Sequence, residues 1–433
     1  MQKLNENPLW WDNALPIPLA HLSLPERADV VIVGGGFAGL STALELRRSG
    51  VEVVVIDKVW PGHGACSRNM GFIMDRIAGT MRGDLNNSVQ GVKRHKLVSE
   101  GLRAYNFVLN LIEREQIDCG LRQRGKLVLA TSESIYQQMA ENLDRIEQHF
   151  GVNDAYMVPR DELDDEIAGE ARNTYYGGKV HPNHHDLNPG QLVAALIKRV
   201  SELGAMLYKA TQLNHLQRLS DGTFHVETSQ GAIKAQHVVI ATQGYTGKEI
   251  ESFNKKVFPS IAHVVVTKPL PKGLMEHLLP NLRGVVDTKQ MFFNFRPCHK
   301  EERLLLTSNY LRTDDANIQS KRILNSYRKL LPDLADVEAE FCWKGYMPLT
   351  ANRMPHISSH EGLHFCVAGC IANSMYLGAK IGKRIVDSSD GKTVYDGMDL
   401  KNFPFYSGNP SLLTHAMRMV LEGMDYLNIA DGK

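Results

Sequence analysis

The 433 residues are enough chain for two or three domains with a large buried core, and 43% hydrophobic and 22% charged residues exclude a disordered or fibrous protein. A formal net charge of +1, with no basic cluster interleaved with aromatics, excludes an electrostatic case for nucleic acid. The six cysteines Cys66, Cys119, Cys298, Cys342, Cys366 and Cys370 form no CxxC pair, which fits reduced thiols in a reducing compartment.

The chain opens without a basic segment followed by an apolar one, so no signal peptide is evident, and a cytoplasmic protein is expected. In Pro8-Leu-Trp-Trp-Asp12 the paired tryptophans predict an aromatic anchor that packs an N-terminal arm onto the body. The next stretch, Asp29 to Gly39, carries a cofactor signal. Val30 to Val33 read as a buried parallel strand, and Gly34-x-Gly36-x-x-Gly39 turns the chain into a helix from Phe37 to Arg48. Gly34 permits the tight turn, Gly36 lets the backbone approach a pyrophosphate, and Gly39 lets the helix pack on the strand. A second apolar strand runs from Val51 to Asp57 and ends in an acid 23 positions after Gly34. A carboxylate there takes both ribose hydroxyls and rejects a 2′-phosphate, which leaves FAD or NAD rather than NADP.

Pro61-Gly-His-Gly-Ala-Cys-Ser-Arg-Asn-Met-Gly71 is too rich in glycine and small polar residues for a long helix or central strand, and reads as a loop beside the cofactor crevice. Asn and Ser turn chemistry alone is the plainer account of that loop. Helical patterns fill Gly91 to Arg172, with Leu97, Leu102, Phe107 and Leu111 on one face and a short strand at Lys126–Thr131. His184 and His185, adjacent to one another, read as a polar loop before a helix capped by Asn188 with Pro189 at its first position; His184 aimed at a substrate is the lesser reading. That helix ends at Gly204, and a strand and hairpin follow to Glu227.

Val238 to Ile240 followed by Ala241-Thr-x-Gly244 read as a parallel strand ending in a tight turn. From Val257 to Cys342 the runs Ala262–Thr267, Met291–Phe295 and Arg303–Thr307 predict an antiparallel sheet, with a helix over Ser320–Leu331. His364–Ala368 is a last strand that turns at Gly369 into a helix. The stretch Phe365–Ala379 carries Asn373 and Ser374 and falls short of the ~20 residues of a membrane helix, so no span is expected. His364, Cys366 and Cys370 lack a second ligand pair at zinc spacing, and no metal is expected.

On these segments the chain resembles the D-amino-acid oxidase-like FAD oxidoreductases. The Pro61–Gly71 loop is similar to their GxGAS-x-RN-x-G segment, and the strand ending in Ala241-Thr-x-Gly244 to the one that closes their cofactor site. Pro8-Leu-Trp-Trp-Asp12, Thr267-Lys-Pro-Leu270 and Asn409-Pro410 look most like the γ-glutamylputrescine oxidase and glycine-sarcosine oxidase branch. The resemblance implies an α/β fold: a Rossmann-like FAD-binding domain of the two-dinucleotide-fold type, and a discontinuous α+β substrate domain on an antiparallel sheet. The expected division is 1–95, 176–250 and 344–433 for FAD, and 96–175 and 251–343 for substrate.

It further implies non-covalent FAD on Gly34, Gly36, Phe37, Ala38, Gly39, Asp57 and Lys58, with Ser67, Arg68, Asn69 and Gly71 along the flavin. Leu213 falls where the family's backbone meets the adenine, Thr242 and Gly244 close the site, and Gly369, Asn373 and Ser374 open the helix at the flavin's pyrimidine edge. The family's closing G-F-x-G-H-G stands here as Gly369-Cys-Ile-Ala-Asn-Ser374, which puts the pocket shape and full activity in question. Where covalent members carry a cysteine this chain has about Gly345, with Cys342 three residues away. The strand Arg303–Thr307 lacks the lysine of fast oxygen-reacting members, so oxygen or another electron acceptor is open.

The chemistry implied is hydride transfer from the carbon of a small amine or amino acid to flavin N5, giving an imine that hydrolyses to a carbonyl. Arg296 and Arg353 are candidates to hold a carboxylate or phosphonate of the substrate, or are ordinary structural arginines, and Tyr346 is a wall candidate. A flavin-binding subunit without turnover, suggested by the altered turn, and an NAD-dependent dehydrogenase are the other two readings.

Overall fold

A computed structural model describes the chain except for residues 1–3, 13, 21, 75–87, 90–91, 153, 251–252, 254–255, 290–292, 299–301, 309–314, 351–353 and 388–433. Arg353, Met291 and the Asn409-Pro410 pair lie outside the described residues.

In chain order, β1 (Arg27–Val33), α1 (Phe37–Arg48) and β2 (Val53–Ile56) form the first strand-helix-strand unit. The long helix α2 (Arg94–Arg114) leads to β3 (Lys126–Leu129), α3 (Glu133–Phe150), β4 (Tyr156–Pro159) and β5 (Gly177–His181). Then come α4 (Pro189–Glu202), β6 (Met206–Tyr208), β7 (Leu213–Arg218), β8 (Phe224–Thr228) and β9 (Gly231–Ile240). The strands β10 (Phe258–Thr267), β11 (Gly284–Asp287), β12 (Asn294–Pro297) and β13 (Leu304–Ser308) precede α5 (Ala316–Leu330) and β14 (Ala339–Leu349). Last come β15 (His356–His360), β16 (Leu363–Val367) and α6 (Ile371–Val386).

Four consecutive apolar residues in a strand demand cover on both faces, because successive side chains point to opposite sides. Val30 and Ile32 pack with α1, α4 and α6, while Val31 and Val33 pack with Tyr208, Phe224 and Val226 on the other side. The sheet order is β6-β2-β1-β9-β8-β7, with β16 parallel to β9 and β15 antiparallel to β16. The parallel run places the carboxyl ends of β1, β2, β9 and β16 side by side, where open α/β sheets bind ligands.

The second sheet, in order β14-β10-β13-β12-β11-β3-β5-β4, is the predicted antiparallel one apart from the parallel pair β3 and β11. Its outer face packs Leu127, Val180, Val265, Phe295 and Leu306 against Ile323, Tyr327 and Leu330 of α5. The inner face carries Lys126, Val128, Val264, Val286, Asn294 and Thr307. Two expected boundaries move. The strand Gly177–His181 pairs with β3 and β4 in this second sheet, and β14 pairs along its length with β10, so residues 176–181 and 344–349 sit with the antiparallel sheet rather than with the dinucleotide fold. No helix of the described residues is long and apolar enough to cross a membrane.

Candidate active site

Between the carboxyl ends of the parallel strands and the inner face of the antiparallel sheet lies a cavity of about 770 Å³. Its first wall is mostly backbone. Gly34 adopts φ +106, which L side chains avoid, and a Cβ on Gly39 would stand 2.0 Å from the Gly34 carbonyl oxygen. These two glycines let α1 start against β1 with Gly36, Phe37 and Ala38 on the wall, while Gly39 lies behind it as the packing contact.

Asp57, at the end of β2, accepts from Gly35 N at 3.0 Å and from Val59 N at 3.0 Å and lines the cavity. Burial raises its pKa against the pull of those amide bonds and of Lys58. Each carboxylate oxygen retains lone-pair capacity, so the group can accept from a hydroxyl donor placed in the cavity. Lys58, Leu213 and Thr242 line the same wall.

The helix ends differ in a way that points to the ligand. Ser132, Asn188 and Asp315 accept from first-turn amides of α3, α4 and α5. Gly36 and Cys370, at the starts of α1 and α6, supply no side-chain cap, and both helices open on the cavity. Amides of two positive helix ends thus face one enclosure, an arrangement that suits a diphosphate at α1 and an electron-rich ring edge at α6. Gly369, Cys370, Ile371, Asn373 and Ser374 all line it, so the unusual closing turn keeps the strand-to-helix geometry.

Between these ends, Gln243 adopts φ 54 and its Oε1 accepts from Ala368 N at 2.8 Å, tying the end of β9 to that of β16. Glycine–dinucleotide turn, cavity-facing carboxylate, uncapped helix ends and a second sheet over the carboxyl ends fit FAD.

The family profile described as FAD dependent oxidoreductase (DAO) matches residues 29–387. The chain belongs to this family. Among DAO relatives, a probable oxidoreductase, OrdL, of Haemophilus influenzae is 25% identical over 86% of this chain and 86% of its own length. The gamma-glutamylputrescine oxidoreductase of Escherichia coli is 25% identical over 90% of this chain and 91% of its own. The crystal structure of glycine oxidase from Geobacillus kaustophilus superposes with a TM-score of 0.70 at 21% identity, over 89% of this chain and 100% of that one, and shows the same fold. The protein is an FAD-dependent oxidoreductase.

Not every expected DAO site residue reaches the cavity. Arg68, Asn69, Gly71 and Tyr346 line it. Ser67 does not: fully buried, it donates to Gly62 O at 2.5 Å, and it staples the loop from behind. Asn69 shares that work, donating to Cys66 O at 2.8 Å and accepting from Gly71 N at 2.8 Å. Gly244 is set off the wall against the Tyr346 carbonyl.

Of its two readings, Arg296 fits the structural one: it is a clamp, not a wall residue. At 0% exposure it donates to Met70 O, to Leu187 O at 2.9 Å and to Pro297 O at 3.0 Å, and it lies 3.3 Å from Asp186. His184 stacks on His181 with centroids 4.5 Å apart and is not part of the wall.

The structure also brings in residues that the sequence reading passed over. Lys126 of β3 and Lys179 of β5 enter the cavity from neighbouring strands, each 3% exposed. Tyr245 meets Tyr346 edge to face at 5.1 Å, and burial pushes its phenol up to about 12. Asp287 also lines the cavity but is committed to its own turn: it accepts from Tyr175 OH at 3.0 Å and Phe293 N at 3.0 Å, beside Lys289 Nζ at 3.5 Å. The alternation Lys126-x-Val128 was the available signal, since a period of two puts that lysine on the face opposite Leu127 and Leu129.

Proposed function

We propose that the chain oxidises the C–N bond of a small amine or amino acid, giving an imine that water hydrolyses to a carbonyl. The observation that carries this reading is the single enclosure whose one wall is the dinucleotide fold and whose other wall is the side-chain-bearing face of the antiparallel sheet. Bound FAD supplies the two-electron acceptance. The protein's own part is to bind, orient and keep water out. Val128, Val264 and Val286 give the substrate end an apolar floor, with Tyr346 at its side. Asn294 and Thr307 bring side-chain hydrogen-bonding groups to it.

Lys126 and Lys179 take the part first given to Arg296, as cations for a carboxylate or other anionic group on the substrate. Asp287 is held by its turn and we assign no dedicated base: the amine gives up its proton to solvent water as it binds. The helix end at Gly369–Ser374 favours negative charge beside it. Cys342 is enclosed on the outer face of its strand, with its thiol pushed up to about 12 by burial, and Gly345 stands at the wall, which supports non-covalent FAD. The names of the relatives, an oxidoreductase of gamma-glutamylputrescine and a glycine oxidase, support the substrate class. Six free thiols support a cytoplasmic location.

The test is product formation. Purified FAD-loaded protein is given primary and secondary amines, amino acids and aminophosphonates with oxygen or an electron-accepting dye, and carbonyl product is assayed. Turnover of one amine class is expected. A protein that carries FAD and turns over none of them would contradict the reading in favour of a non-catalytic flavin-binding subunit.

A further inference from the structure

We propose that the N-terminal arm is a positioning device for the FAD-facing loop, and that Trp11 is the positioning residue for Arg68. The inference rests on the FAD site and not on the amine chemistry. The arm is seated on the edge of β14: Asn5 N donates to Glu340 O at 3.0 Å and Cys342 N donates to Asn5 O at 3.0 Å. Beyond that anchor, three indoles converge on three consecutive loop residues. Trp11 Nε1 donates to Ser67 Oγ at 2.9 Å, Trp343 Nε1 to Arg68 O at 3.0 Å, and Trp10 Nε1 to Asn69 O at 2.9 Å.

Arg68 and Asn69 line the cavity, whereas Ser67 and the three indoles lie behind it, so the arm and β14 grip this loop from the side away from FAD. An indole has one N–H and no acceptor, which makes each bond directional. The grip extends to the Arg68 side chain. Its guanidinium lies over the Trp11 ring at 4.5 Å, and Nε donates to His63 O at 2.9 Å and Nη1 to Lys344 O at 3.2 Å. Trp11 in turn packs edge-on against Trp60 at 5.0 Å. An arginine clamped in this way is a fixed positive charge on the wall, and preorganised charge acts without reorganisation.

The test uses full-length protein stripped of FAD and reloaded. Trp10→Phe and Trp11→Phe keep an aromatic ring and remove the N–H donors; Trp11→Ala also removes the surface under Arg68. FAD dissociation constants are read from flavin fluorescence, the loop environment from the visible spectrum, and the midpoint potential by equilibration with a reference dye. Each Phe variant should bind FAD about tenfold more weakly, as expected for one lost buried hydrogen bond. Trp11→Ala should in addition lower the midpoint potential and shift the flavin bands, because the Arg68 charge is no longer held.

Because Trp11 and Ser67 are partners, the double variant Trp11→Phe/Ser67→Ala should cost less than the sum of the two single changes. Far-UV circular dichroism and melting confirm that each variant is folded. Folded Phe variants with wild-type affinity, spectrum and potential, or strict additivity with Ser67→Ala, would overturn the proposal. Wild-type protein that takes up no FAD would instead overturn the site on which it rests.

Discussion

The two walls of the cavity are built by different means. The dinucleotide wall is backbone: two glycines, two uncapped helix ends and one carboxylate set by strand-end geometry. The opposite wall is a sheet face, and its chemistry is whatever side chains the register brings there, from Lys126 and Lys179 to Asn294, Thr307 and Tyr346. The first kind of wall is fixed by local constraints and tolerates almost no change. The second can be rewritten one side chain at a time without disturbing the fold.

The largest effect should come from the backbone wall. Gly39→Val forces atoms into the 2.0 Å gap at the Gly34 carbonyl, and the variant should be isolated without flavin. A normal ratio of flavin absorbance to protein would contradict this. Asp57→Ala sharpens the point by removing chemistry and sparing shape. FAD affinity should fall about a hundredfold, as for two lost hydrogen bonds to a charged acceptor, while the melting temperature of FAD-free protein falls only slightly, since Gly35 N and Val59 N lose their acceptor but a carboxylate disfavoured by burial is removed. A large fall in melting temperature with unchanged affinity would make Asp57 a structural residue only.

On the sheet face the effects should be selective. Lys179→Met is expected to raise KM about tenfold for a carboxylate-bearing amine, and to leave kcat and the KM of an uncharged amine near wild type. Equal losses for both substrates would remove the lysine from substrate recognition.

Smallest is a pH effect on stability. Burial first, then Arg68 and Lys58, lower His63 from 6.5 to about 4; burial, His237 and Arg384 lower His364 to about 3. In the unfolded chain both take a proton near 6.5, whereas the fold keeps them neutral. The unfolded state therefore binds more protons, and stability is flat above pH 6.5 and falls as the pH drops toward 4 for His63 and toward 3 for His364. His364→Asn should flatten that acid limb by on the order of 2 °C in Tm, measured by melting across pH. A limb unchanged in the variant would assign the acid loss to other groups.

The same contrast explains what could be read from the sequence. Gly34 to Asp57 is one contiguous unit whose turn, helix and strand are dictated locally, and the structure reproduces it nearly residue for residue. The Asn188 cap was legible for the same reason, its side chain accepting from Gly190 N and Gln191 N. Arg296 was not. Alternation places it on the same face as Asn294, but Met70, Asp186 and Leu187 lie over that end of the strand and take its donors, which no local pattern announces. Lys126 was seen as the start of a strand and not as a wall residue, because the face it presents depends on pairing with Gly284 and His181, far along the chain. Residues 177–181 were placed in the FAD-binding division and not read as a strand, because the partners that make them one are equally remote.

The most direct test of the account is an anaerobic titration of the FAD-loaded protein with single amines, followed by the visible spectrum. If the two walls enclose one reaction space, one class of amine should bleach the flavin band in proportion to the amount added, and the released imine should appear as its carbonyl. A flavin that stays oxidised with every amine, while dithionite bleaches it, would contradict the account and leave the sheet face without a substrate.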